Sequence, residues 1–171
     1  MDPRKTYEYL ERARAKLLDW TRPLTHEQFT RTFPFGLHTL SRTLAHIALA
    51  EWGYWCVLKG YTYTPLLARE EWIIDDEALP PFAEVERVWR EQSARTRTTI
   101  AEITNWTKEF DYRSGSPEQP IIVTASPEDV FTQLALHEVH HRAQAMAMLR
   151  QFGIAAEDLD YNDMMYMWRY A

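Results

Sequence analysis

The chain has 171 residues, of which 46% are hydrophobic and 26% charged, with a formal net charge of -6; that is the size of one ordinary domain and enough to bury a continuous apolar core. Its 19 basic residues are scattered rather than gathered into a stripe, which argues against a nucleic-acid partner, and no stretch nears the roughly 18 apolar residues of a membrane span. One cysteine, Cys56, and a charged N-terminus without an apolar leader lead us to expect a single domain over residues 1–171, in the cytoplasm and with no membrane partner.

In chain order the sequence reads as helices separated by proline-marked turns. Asp2 and Pro3 resemble an N-cap and a first helical residue, and Tyr7, Leu10, Ala13 and Leu17 recur at helical spacing, so a first helix ends before Pro23. Thr25 and Gln28 fit a capping box for a short helical turn, after which Phe33-Pro34-Phe35-Gly36 breaks the chain. A second long helix is expected from about Thr39 to Leu58, stopped by Gly60. Tyr61 to Leu79, with Pro65 and mixed charges, is expected to be a crossover that carries at most one helical turn. The third long helix starts near Pro80-Pro81 and presents Phe82, Val85, Trp89, Gln92, Thr96, Ile100 and Ile103 on one face. Thr107 to Ala125 reads as irregular. Ser126-Pro127-Glu128-Asp129 then opens a fourth long helix that Gly153 ends, and a C-terminal helix over about Glu157 to Arg169 would pack Leu159, Met164, Met167 and Trp168 on the bundle.

Chemistry shows through on the fourth helix, whose inward face reads Val130, Leu134, His137, His141, Ala145, Met148 and Phe152. At ~100° per residue, His137 and His141 lie about 40° apart and one turn along, so both imidazoles can address one ion. Gln133 and Gln144 flank the stripe. His46 stands in the apolar run Leu44 to Ala50 of the second helix, with the small Ala50 and Gly53 one and two turns on, which suggests open volume beside the ring. Three neutral nitrogens with room for water describe an open metal site rather than a closed structural one. Glu138, Arg142 and Gln144 are the candidates for base, ligand support or substrate contact, although Glu138 and Arg142 also fit a plain exposed ion pair. The same stretch spells His-Glu-x-x-His, the zincin protease pattern with Glu138 as general base. Against that stand the absence of a recognisable sheet and a third ligand that would have to be Glu157 or Asp158, leaving His46 unexplained.

His46 in an apolar helix, a long third helix and His137-Glu138-Val139-His140-His141-Arg142-Ala143-Gln144 together resemble the DinB-like superfamily over nearly the whole chain. The resemblance implies an all-α four-helix bundle with an up-down-down-up path. It implies one divalent ion, zinc or nickel, on His46, His137 and His141, frequent homodimers, and a link to DNA-damage stress. It also implies, in some members, thiol-dependent S-transfer from a small-molecule thiol to an electrophile. His140 could compete with His141; His141 is preferred because it precedes the Arg-x-Gln of the pattern. A non-catalytic, metal-stabilised interaction bundle is the alternative role.

Further expectations follow. The ligands should lie within ~2.0 to 2.3 Å of an ion, and affinity should fall as pH drops through about 6.5. Cys56, ten residues beyond His46, lies about 15 Å along the helix and cannot reach the ion. Apolar residues nearly all round from Leu44 to Leu58, with Trp52 and Trp55, suggest that this helix or the Trp72 segment meets a second subunit.

Overall fold

A computed structural model describes residues 2–61, 67–116 and 118–169. Helix α1 (Pro3–Thr21) begins where the Asp2 carboxylate accepts from the Arg4 amide at 3.0 Å. Its buried stripe is Tyr7, Leu10, Ala13, Arg14 and Leu17. Helix α2 (His26–Thr30) carries the expected capping box between Thr25 and Gln28. Helix α3 (Leu40–Lys59) is capped by Thr39 and ends on Gly60 in the left-handed region at φ +72°, a conformation that costs glycine little. The crossover holds a single 3-10 turn, Arg69–Glu71; Pro65, which marks it in the sequence, lies outside the described residues. Helices α4 (Phe82–Glu102) and α5 (Pro127–Arg150) follow, the latter opened by a Ser126 capping box.

The helix directions follow from cross-helix contacts. Arg22 bonds Glu86 at 2.6 Å while Arg4 reaches the Ala101 carbonyl at 3.3 Å, so α1 and α4 run antiparallel. Trp89 and Trp55 donate to Glu51 and Thr99 at 2.9 Å each, which makes α3 and α4 parallel. The His46 ring lies against His141 and Tyr54 against Gln133, so α3 and α5 run antiparallel. The path is therefore up-down-down-up, with α3 and α1 each packed between α4 and α5. Parallel α3 and α4 require the long crossover, because a short loop joins only antiparallel neighbours.

Two expectations are corrected. The stretch Thr107 to Ala125 is not irregular: β1 (Phe110–Gly115) and β2 (Pro120–Ala125) pair antiparallel from Phe110↔Ala125 to Gly115↔Pro120. Ile121, Ile122, Val123 and Thr124 are β-branched and favour strand. Gly115 turns at φ +87°, where a Cβ would lie 2.4 Å from the Gln119 carbonyl oxygen. The strands bury little, and only Phe110-Asp111-Tyr112-Arg113 of β1 alternates apolar with polar, a signal of four residues. The C-terminal helix is also shorter than expected: α6 spans only Tyr161–Met165, and Met167 and Trp168 are 84% and 70% exposed instead of packed. Leu159 does pack, and its carbonyl accepts from the Tyr9 hydroxyl at 2.7 Å.

The apolar circumference of α3 is largely covered within one chain. Trp52, Cys56 and Val57 are buried, Trp55 and Leu58 are half-buried, and Trp72 packs against the core. Exposed apolar side chains lie elsewhere, at Leu136 and Val139 on the outer face of α5 and at Ile121 and Ile122 on the hairpin. Among the described residues no helix is long and apolar enough to cross a membrane.

Candidate metal centre

The antiparallel α3/α5 pair sets His46 opposite His137 and His141. Their ring centroids are 4.5 to 5.1 Å apart, and one ligating nitrogen from each lies within 4.8 Å of the others. His46 Nε2 and His137 Nε2 face each other at 3.2 Å. All three rings are half-buried, so the cluster is reachable from solvent. Such a group could hold a metal ion.

The outer ring nitrogens explain why Nε2 points inward. Asp76, on the crossover, accepts from His46 Nδ1 at 3.0 Å. The Gln144 amide oxygen accepts from His141 Nδ1 at 2.9 Å, and the Gln144 amide nitrogen donates to His140 Nε2 at 2.9 Å. A proton on Nδ1 leaves a lone pair on Nε2, the tautomer a metal requires. The same amide engages His140, which is exposed and stands outside the group of three converging histidines. Gln144 is itself seated by Gly36, whose φ is +58° and whose added Cβ would lie 3.0 Å from the amide oxygen. The Phe33–His38 hydrogen bond of 2.7 Å holds that loop in place.

Electrostatics fit a cation. His137 is pushed down to about 3 by burial and then by its neighbours His141, His46 and His140. His141 is also lowered, chiefly by burial, against the Gln144 hydrogen bond. Asp76 stays below the usual carboxylate range: burial works against this, but the hydrogen bond and charge of His46, with the charge of Arg42, outweigh it. With His137 and His141 held toward the neutral form and the Asp76 carboxylate bonded to His46, the donor set suits a borderline divalent ion. Protons therefore compete for His137 only at lower pH than for an ordinary histidine.

A stability consequence has a definite sign. In the metal-free protein the unfolded chain protonates His137 near its ordinary pKa of about 6.5, whereas the native state resists until about 3. Between those values the unfolded state binds more protons, so the contribution present above pH 6.5 is lost as pH falls toward 3. Thermal melts of metal-free protein should show a steeper loss of Tm from pH 7 to pH 4 for wild type than for His137→Gln. Equal slopes would refute this.

Glu138 and Arg142 do not address the histidines. Both are buried, and they are not the exposed pair considered above. One Arg14 nitrogen lies 2.6 Å from Glu138 and 2.9 Å from Glu51, so a guanidinium on α1 bridges carboxylates on α5 and α3. Tyr7 and Trp89 donate to Glu51 at 2.5 and 2.9 Å, and Arg142 donates to the Tyr9 hydroxyl. With its carboxylate committed to Arg14, Glu138 is not placed as a zincin base. Gln144, with both amide ends used on histidines, supports ligands and is not free for substrate.

Sequence reading missed Asp76, because an acid in the charged run Asp75-Asp76-Glu77 carries no local mark. It missed Tyr54, whose ring stands edge-on to His137 at 5.9 Å and whose hydroxyl accepts from Gln133 at 3.4 Å. Arg14 was detectable as a charge within the apolar stripe of the first helix. Of the two small residues beside His46, Ala50 is half-buried on the open side and Gly53 is buried by packing.

Comparison with known proteins agrees with this architecture. The chain is 24% identical over 163 residues to Protein DinB of Bacillus subtilis (strain 168), an alignment covering 95% of this chain and 93% of that protein. The profile of the DinB family matches residues 1–169. With its helical bundle, its three facing histidines and this match across nearly its full length, the chain belongs to the DinB family.

Proposed function

We propose that the chain is a divalent-metal protein, with zinc or nickel on His46, His137 and His141, that transfers a small-molecule thiol to a small electrophile. The observation that carries this reading is the convergence of one ring nitrogen from each of three half-buried histidines, two of them oriented by the hydrogen bonds their Nδ1 makes to Asp76 and Gln144. A divalent ion bound there supplies a Lewis acid that favours the deprotonated form of a bound thiol or water at neutral pH.

The chain's own residues favour a nucleophile brought from outside. Cys56 is buried and burial pushes its thiol up to about 11, which leaves it inert. Glu138 is held by Arg14 and supplies no base at the cleft. Tyr54, edge-on to His137, and Gln133, one turn before it on α5, offer a hydroxyl and an amide for orienting a polar substrate.

The test is turnover of low-molecular-weight bacterial thiols with a model electrophile by zinc- or nickel-loaded protein, with casein hydrolysis run in parallel. Thiol consumption dependent on the metal is expected. Glu138→Gln should leave metal content and turnover in place while lowering stability, whereas a zincin would lose activity. Hydrolysis of casein abolished by Glu138→Gln would overturn the transferase reading, and full metal loading without any turnover would favour the interaction bundle.

A further inference from the structure

His46 lies on α3, but the group that orients it arrives from the crossover, thirty residues on, where Asp76 accepts from Nδ1 at 3.0 Å. Asp76 is only 7% exposed, although the His46 side chain it holds is about a third exposed. Among the described residues of the segment, the other side-chain ion pairs are more exposed. Arg69 pairs with Glu77 and Asp75 at 2.8 and 3.2 Å, and Arg42 with Glu77 at 3.3 Å, all with side chains about a third exposed or more. Exposed pairs of this type contribute about 0–1 kcal/mol. Ser41 donates to the Pro80 carbonyl at 2.7 Å at the very end of the segment, and its apolar anchors are the buried Ile74 with the partly buried Leu67, Trp72 and Ile73.

We propose that Asp76 is the positioning residue of the metal centre and that, through it, occupancy of the three histidines and the packing of crossover residues 67–79 onto α3 are coupled. The proposal rests on the reading of His46, His137 and His141 as ligands. An imidazole that carries a cation on Nε2 is a stronger donor from Nδ1, and the bond to a carboxylate becomes charge-assisted. Linkage then makes the effect mutual: whatever factor the ion adds to the Asp76 contact, the Asp76 contact adds to ion affinity. The carboxylate also leaves His46 a single productive tautomer and ring orientation, so less ordering remains to be done when an ion arrives.

The experiment uses the full chain with cobalt(II) as probe. Affinity is measured by chelator competition for wild type, Asp76→Asn and Asp76→Ala. In parallel, limited trypsin cleavage is followed by mass spectrometry at Arg69, in the exposed 3-10 turn, and at Arg113 on the hairpin as control. Affinity should fall about 10–100-fold in Asp76→Ala, and less in Asp76→Asn, which keeps an acceptor without the charge. Cobalt should slow cleavage at Arg69 in wild type by about fivefold or more, with little effect at Arg113, and this protection should vanish in Asp76→Ala. Should the alanine variant fail to fold, the asparagine variant carries the comparison. Wild type that binds no cobalt would defeat the metal-centre reading itself. Wild type that binds cobalt, with both variants within about twofold of it or with no protection at Arg69, would overturn this proposal alone.

Discussion

Arg14→Met should unfold far more readily than wild type, with a loss of about 3–5 kcal/mol, the range for removing one partner from a buried ion pair. Arg14 is 4% exposed, and it bridges Glu51 on α3 and Glu138 on α5. Methionine matches much of its volume, so the loss would come from charge rather than from a cavity. The two glutamates would then share a buried site, balanced only by Arg142, whose nearest approach to Glu138 is 3.9 Å. The Arg14 guanidinium also stacks over the Trp89 ring at 4.5 Å, a contact that stabilises a cation. Urea denaturation measures the effect. A loss below about 1 kcal/mol would show that the cluster tolerates an uncompensated carboxylate. The triple variant Arg14→Met, Glu51→Gln, Glu138→Gln should recover part of the stability, because it removes the stranded charges too.

His137→Ala should lose bound metal and any metal-dependent turnover together, since two imidazoles and water hold a divalent ion far more weakly than three imidazoles. His137 is the centre of the cluster, facing His46 at 3.2 Å and stacked edge-on with His141 at 4.5 Å between ring centroids. The fold should survive, because the ring is half-buried and its removal strands no charge. Cys56→Ala is the matched control: the thiol is buried in the core, and the variant should keep metal content and turnover. Elemental analysis and thiol turnover on the same preparations decide the matter. Full metal content in His137→Ala, or abolished turnover in a folded Cys56→Ala, would refute this assignment of roles.

Local chemistry made most of the helices legible. The caps at Asp2, Thr25, Thr39 and Ser126 and the left-handed stop at Gly60 act within one or two turns, so the sequence alone located α1, α2, α3 and the start of α5. The i,i+4 spacing of His137 and His141 likewise placed two imidazoles on one face before any packing was known, and an isolated histidine in an apolar run singled out His46. The hairpin escaped because its alternation is confined to four residues of β1 while β2 is mostly exposed, and the end of the C-terminal helix escaped because helical spacing in Met164, Met167 and Trp168 says nothing about whether a surface is there to receive them. Tertiary structure alone decided which side of α5 each group serves. Glu138 and Arg142 follow the histidines by one residue, about 100° around the helix, and that rotation turns them from the metal cleft to α1, where Arg14 and Tyr9 receive them. It alone also brought Asp76 to His46, because a hydrogen bond spanning thirty residues depends on where the crossover returns and not on any spacing along the chain.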